Sequence, residues 1–261
     1  MTATEWDHSR ARRADEAEGG TQSLAAHCVH CPHRRDLLPE GHCTPGDVCV
    51  RAQSGRQIER FFRVNPGLAV DYAGDAFWER RAIAARYLPQ HKLLPMLSDP
   101  DEVVRRVLAY RLPVEALDPL INDPDREVRI TVASRLPLER LNLLVADPDY
   151  LVRESVARRI PKGLLSRLIR DPDRQVRATV AARLPQDSLW LMRGDPDPEV
   201  RIKVAERVRP EEAKCLLRDP DWRVRYRLAE RLPLEDLGTL VNDSDLDVRT
   251  LARERAGLGP D

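Results

Sequence analysis

Four cysteines fall within one short stretch, CVHCPHRRDLLPEGHCTPGDVC, and the rest of the 261-residue chain holds one, Cys215. The spacing is C-x2-C-x11-C-x5-C, through Cys28, Cys31, Cys43 and Cys49. Four thiols so close in sequence can converge on one metal centre, and soft thiolates select zinc, copper(I) or an iron–sulfur cluster. Zinc knuckles usually present two tight C-x2-C pairs, and the second pair here is looser. His27, His30, His33 and His42 flank the cysteines and keep a mixed Cys/His zinc site open. Pro32 follows Cys31, as proline follows a ligating cysteine in many ferredoxins. Disulfides are the alternative. The opening MTATEWDHSRARRADEAEGG lacks the apolar run of a secretory signal, which argues against them and makes the cytoplasm the expected location. Spacing alone leaves zinc and iron–sulfur as equals. Cys215 stands beside Leu216 and reads as a packing residue rather than a ligand.

The elements that position these cysteines belong to a chain with 43 basic and 43 acidic residues. The balance is local too, with 9 basic and 10 acidic residues in 1–74 and 34 and 33 in 75–261. Such a chain lacks the net positive field of a nucleic-acid binder. No apolar run reaches the roughly 20 residues of a membrane span. No acid–base or nucleophile constellation stands out, so the chain reads as a non-enzyme.

From Asp99 onward the sequence restarts every 24 residues: DPDEVVRRVLAYRLP at 99, DPDREVRITVASRLP at 123, then copies at 147, 171, 195 and 219. A degenerate first copy begins at 75 and a truncated last one at 243. Asp at repeat position 1 reads as an N-cap, Pro at position 2 as N1, and Asp at position 3 as a first-turn acid. Apolar residues at positions 6, 10 and 14 share one helical face, and Pro at position 15 ends the helix. This predicts a helix over positions 2–13. Apolar positions 19, 22 and 23 then suit a short second helix, of α or 3₁₀ type. Neither helix can bury its stripe alone, so neighbours must stack into an α-solenoid.

Arg recurs at position 7, from Arg105 to Arg249, and falls within i, i+4 reach of the position-3 Asp. The expectation is a ladder of such pairs within each repeat. Arg at position 13, such as Arg135 and Arg159, is expected to serve the C-terminus of its own helix. Trp78, Trp190 and Trp222 read as local packing.

The DPDxxVRxxVAxRLP repeats behind a four-cysteine segment resemble the leucine-rich repeat variant proteins known from nitrogen-fixing bacteria. The resemblance covers residues 24 to about 256 and departs from the pattern at Asp75–Phe77, at Pro210 (one place late) and in the final repeat. It implies alternating α- and 3₁₀-helices in a right-handed superhelix, and an N-terminal domain holding a four-iron, four-sulfur (4Fe-4S) cluster on Cys28, Cys31, Cys43 and Cys49. The repeats also look like HEAT-type protein-binding repeats. The expected organisation is a mobile polar tail over 1–23, a cysteine-rich iron–sulfur domain over 24–70 and a repeat solenoid over 71–261. The expected function is a non-enzymatic iron–sulfur protein whose solenoid binds a protein partner not named by the sequence, in electron transfer or redox sensing and linked to nitrogen fixation. The alternatives are a zinc-binding repeat protein, structural or nucleic-acid-binding, and an iron–sulfur enzyme. Four available thiols weigh against the enzyme, which needs an open iron. Neither a membrane nor a nucleic acid is expected as partner.

Overall fold

A computed structural model of the protein describes residues 28–259; the expected mobile tail over 1–23, and His27, lie outside the described residues. The described chain is helical, with one isolated antiparallel bridge, Thr44 with Val48, in place of any strand. Among the described residues no helix is long and apolar enough to cross a membrane. The chain packs as two compact units, Met1–Arg111 and Leu112–Asp261.

In the second unit six helices of eight to ten residues follow in chain order, α4 (Arg126–Arg135), α5 (Tyr150–Arg159), α6 (Arg174–Arg183), α7 (Pro198–Ala205), α8 (Trp222–Arg231) and α9 (Leu246–Arg255), with a four-residue helix, Gln186–Leu189, between α6 and α7. Each packs against the next. Short 3₁₀ segments separate them, such as Leu138–Leu144 and Lys162–Leu168. The expected alternation of α- and 3₁₀-helices is therefore observed. Position-6 and position-10 side chains, such as Val152 and Val156, are fully buried, and so are Ile160 at position 14 and Leu165 at position 19. Alanines at position 11, such as Ala133 and Ala157, are buried as well, because only a methyl group fits where neighbouring helices approach. Position 23 reaches the core less completely; Val145 and Ile169 are half-buried.

The helices start two residues later than the capping reading placed them. The N-cap is the second Asp of each triplet: the Asp149 carboxylate accepts from the Leu151 backbone N–H at 2.8 Å, and Asp173, Asp197 and Asp221 cap in the same way. The first Asp makes a turn of its own, with Asp147 accepting from the Asp149 N–H at 2.8 Å. Both aspartates satisfy amides that would otherwise lack partners at a helix start. α7 is two residues shorter than its neighbours, in the repeat where Pro210 comes one place late.

With the second Asp committed to capping, the position-7 arginine does not take it as partner. It reaches instead to the first Asp of the following repeat, 18 residues on. Arg129 holds Asp147 with two bonds of 2.8 and 3.0 Å, and Arg153 holds Asp171 at 2.7 and 2.9 Å. Arg177–Asp195, Arg201–Asp219 and Arg225–Asp243 repeat the clasp. The remaining guanidinium nitrogen donates to the carbonyl at position 1 of its own repeat, as Arg129 does to Asp123 at 2.7 Å. The position-13 arginine also crosses between repeats, but backwards. Arg159 donates to the Ala133 and Leu136 carbonyls, where α4 ends, and Arg183 does the same to Ala157 and Ile160. These arginines thus satisfy a helix C-terminus, but that of the preceding repeat.

The first unit contains α1 (Gly55–Val64), a 3₁₀ segment Pro66–Tyr72, α2 (Trp78–Tyr87) and α3 (Glu102–Arg111). α1 packs on α2, and α2 on α3. The same two clasps recur: Arg81 holds Asp99 at 2.8 Å through both oxygens, and Arg111 donates to the Leu88 carbonyl at 2.8 Å.

The Arg153 and Asp171 side chains are about nine-tenths or more buried, so removing one partner strands a buried charge. Asp171→Ala is expected to cost about 3 kcal/mol, and joint replacement by Met at Arg153 and Leu at Asp171 much less, in urea unfolding monitored by circular dichroism. Acid should act on the same ladder. Burial raises the Asp99 carboxyl, but hydrogen bonds from Arg81 and the Asp101 N–H outweigh it and leave it below the usual range; Asp243, with Arg225 and the Asp245 N–H, behaves alike. Carboxylates depressed in the folded state stabilise it fully above the ordinary aspartate value of about 3.9 and stop doing so as pH falls below that value. The urea midpoint is expected to hold between about pH 7 and 5 and to drop steeply under about pH 4.

Candidate metal centre

Three local devices bring the four cysteines to one place. Cys28 lies in a helical turn closed by the Cys31 N–H on the Cys28 carbonyl at 3.2 Å. Cys31 then caps a short 3₁₀ turn, Pro32–Arg34, whose first residue is the proline that needs no hydrogen-bond acceptor there. The chain returns through Gly41, at φ +74°, where the His42 N–H meets the Leu37 carbonyl at 2.9 Å. Next comes Thr44–Pro45–Gly46–Asp47. Its Asp47 N–H donates to Thr44 at 3.1 Å, Pro45 sits at the second position, and Gly46 takes φ +78° at the third, as a type II turn requires. The Thr44 N–H bonds the Val48 carbonyl at 2.9 Å, so Cys43 and Cys49 flank a one-bridge hairpin. The C-x5-C spacing, loose by sequence, is closed by this turn.

Cys28, Cys31, Cys43 and Cys49 line one cavity with Leu38, Val48, Val50 and Phe61; Arg34, Arg51 and His33 complete its polar side. Among the described residues no carboxylate lines it. All four thiols are half-buried and none is in a disulfide. Burial pushes the Cys28 thiol up, and Cys49 and Cys31 push it further, against a smaller opposing pull from Arg34. Burial raises Cys43 likewise, with Cys31, Cys49 and Cys28 adding to it. Four thiolates here would repel one another, and a cationic core bound among them relieves that repulsion. Among the described residues no three His, Cys, Asp or Glu side chains converge on a single-ion position; the thiols ring the cavity instead.

The histidines separate. His33 reaches the cavity, but its Nε2 is 2.8 Å from the Tyr72 hydroxyl. His30 is exposed, and His42 faces the exposed Glu40 at 3.6 Å. Behind the cavity Phe61, Phe62 and Tyr72 stack edge to face, with centroids 5.4 to 6.4 Å apart, and Phe62 continues to Tyr87. Burial, above all, pushes Tyr72 up to about 12. In this apolar support Phe61 and Phe62 are buried, Leu68 is half-buried and Val64 is exposed; Ile58, Ala69 and Tyr72 complete it. Asn65, buried, ties α1 to the cysteine segment by donating to the His42 carbonyl at 2.8 Å. Cys215 is exposed, contrary to the packing role expected of it, because position 21 faces out from its 3₁₀ segment. Trp78, Trp190 and Trp222 are partly exposed, and each packs locally: Trp78 on Phe77, Trp190 under Arg193 and Trp222 against Tyr226.

Comparison with known proteins follows this division. A family model described as "LRV protein FeS4 cluster" matches residues 22–71, and one described as "Leucine rich repeat variant" matches 126–149 and 150–173. A solved structure described as a leucine-rich repeat variant with a novel repetitive protein structural motif is 57% identical, covers 87% of this chain and 97% of its own, and superposes with a TM-score of 0.84. The chain belongs to the leucine-rich repeat variant family. Its expected all-α repeat fold, with 3₁₀ turns and no sheet, is that of the family, and its cysteine segment matches the family's iron–sulfur domain. An uncharacterized 27.7 kDa protein from the nifB 3′ region of Rhodobacter capsulatus is 42% identical over 81 residues, 31% of this chain. The match spans 33% of that relative's length.

Gly46 offers a direct test of the turn. Gly46→Val forces a β-branched residue to positive φ, at a cost of about 1–3 kcal/mol. Iron bound per chain after anaerobic reconstitution is expected to fall. Gly74→Ala, where an added methyl meets open space, should leave it unchanged.

Proposed function

We propose that Cys28, Cys31, Cys43 and Cys49 hold a 4Fe-4S cluster and that the chain is a non-enzymatic electron carrier whose repeats dock a protein partner. The observation that carries this reading is the set of four thiols lining one cavity, with no carboxylate among the described residues that line it. Zinc would draw four ligands to a single point at about 2.3 Å each, whereas a cluster takes one thiolate on each of several irons, which suits thiols spread round a cavity. Residues 24–70 then form the cluster-holding segment, and 71–261 the docking array. With every iron bound by a cysteine no open coordination site remains for a substrate, so the segment suits carriage rather than catalysis. A cluster bound there supplies one-electron transfer. Leu38, Val48, Val50 and Phe61 keep water from it, while the Arg34 and Arg51 guanidinium groups set positive charge beside it and favour the reduced state. A cytoplasmic setting keeps the thiols reduced until the cluster is installed. The position of the Rhodobacter relative beside nifB supports a link to nitrogen fixation.

Redox titration of the visible absorbance, on anaerobically purified protein, tests the carrier role. A reversible one-electron transition is expected, and Arg51→Gln should move it to lower potential with iron content unchanged. A cluster that biological donors cannot reversibly reduce would show its role to be structural.

A further inference from the structure

Part of the edge of the second unit built from its short helical segments carries cations that make no ion pair. Lys162, Arg167 and Arg170 follow α5, and Arg193, Lys214 and Arg218 occupy the same stretch of the next two repeats. All six are exposed, and none makes an ion pair among the described residues. The surface arginines of the neighbouring helices behave otherwise: Arg158, Arg174 and Arg227 each hold a carboxylate. The same edge also bears carboxylates towards its C-terminal end, Glu211, Glu212, Glu235 and Asp236, so the surplus of free cations lies on the segments of Lys162 to Arg170 and of Arg193.

Apolar side chains interrupt these cations. Leu143, Leu164, Trp190 and Leu191 are 39 to 55% exposed on the same segments. The Arg193 guanidinium lies 5.1 Å from the Trp190 ring centroid and donates to the Trp190 carbonyl at 2.9 Å, which holds the indole in place. One groove places Ile169 and Arg170 beside Leu191 and Arg193; the next, around Lys214 and Arg218, also holds Glu235 and Asp236 and is not cationic. Phosphates would use the cations but gain nothing from the leucines, and a single exposed Trp gives one stacking platform. Trp and Arg among apolar residues are the composition of protein–protein contact centres.

We propose that this edge docks an acidic protein segment, with carboxylates facing Arg167, Arg170 and Arg193 and apolar side chains in the groove between Ile169 and Leu191. The inference rests on the docking role proposed above and names the partner's chemistry. Opposite charge along such a surface sets specificity and speeds encounter.

Fluorescence anisotropy on the full, cluster-loaded chain tests it. The probes are three labelled peptides of equal length and leucine content, one rich in Asp and Glu, one in Lys and one in Ser and Gln. Oligouridylate and phosphatidylserine vesicles form two further arms. The acidic peptide is expected to bind, about tenfold more weakly at physiological than at low salt. Combined Arg167→Glu, Arg170→Glu and Arg193→Glu should abolish binding with the melting temperature unchanged. Single Gln substitutions, each weakening binding, keep the test readable should the triple variant misfold. If the basic or neutral peptide binds better, this inference falls while the docking role stands. If no peptide binds, both fall. Binding of RNA or vesicles alone, lost in the triple variant, would overturn the protein partner in favour of that class.

Discussion

The repeats depend on a clasp made twice, once forward and once back. A buried guanidinium takes the first aspartate of the next repeat, and a second arginine takes the last helical carbonyls of the previous one. Each short helix ends with carbonyls, and each DPD triplet begins with a carboxylate, that lie too deep to be left to water. The arginines satisfy both, and they do so across the repeat boundary. Local helix ends thereby become inter-repeat bonds. This is the coupling that a quasi-one-dimensional stack needs, since a repeat touches only its neighbours. It also explains the charge balance: the ladder arginines and aspartates match within the stack and leave no field outside it.

The cysteine segment solves a different problem with the same means. It is too short and too loop-rich to bury a core of its own. A type II turn, a glycine return and a proline-led 3₁₀ turn set its thiols, while α1 supplies Phe61 as wall and Phe62 as backing. Arg81–Asp99 then locks α2, on which α1 rests. The cavity's walls are therefore only as firm as the first clasp of the ladder.

The period, the helix type, the core face and the cysteine cluster are legible in the sequence, because each follows from spacing along one chain. The partner of the position-7 arginine is not. Both aspartates of a DPD triplet can cap a helix. Choosing the first shifts the helix start by two residues and leaves the other aspartate available, on paper, to pair with the arginine. The true partner lies 18 residues away, at a distance set by stacking and invisible to helical periodicity. Exposure of Cys215 is hidden for a similar reason: its place beside Leu216 suggests a share of the core, but a 3₁₀ turn points adjacent residues apart. The hairpin closing Cys43 to Cys49 is legible, since Thr-Pro-Gly-Asp specifies its turn; attention to cysteine spacing alone passes over it.

The central claim is that four thiols around one cavity hold a cluster rather than a single ion. Native mass spectrometry of anaerobically purified chain tests it most directly. The account predicts one species heavier than the bare chain by four iron and four sulfide, lost in Cys43→Ser. A species heavier by a single zinc, with no sulfide, would contradict it.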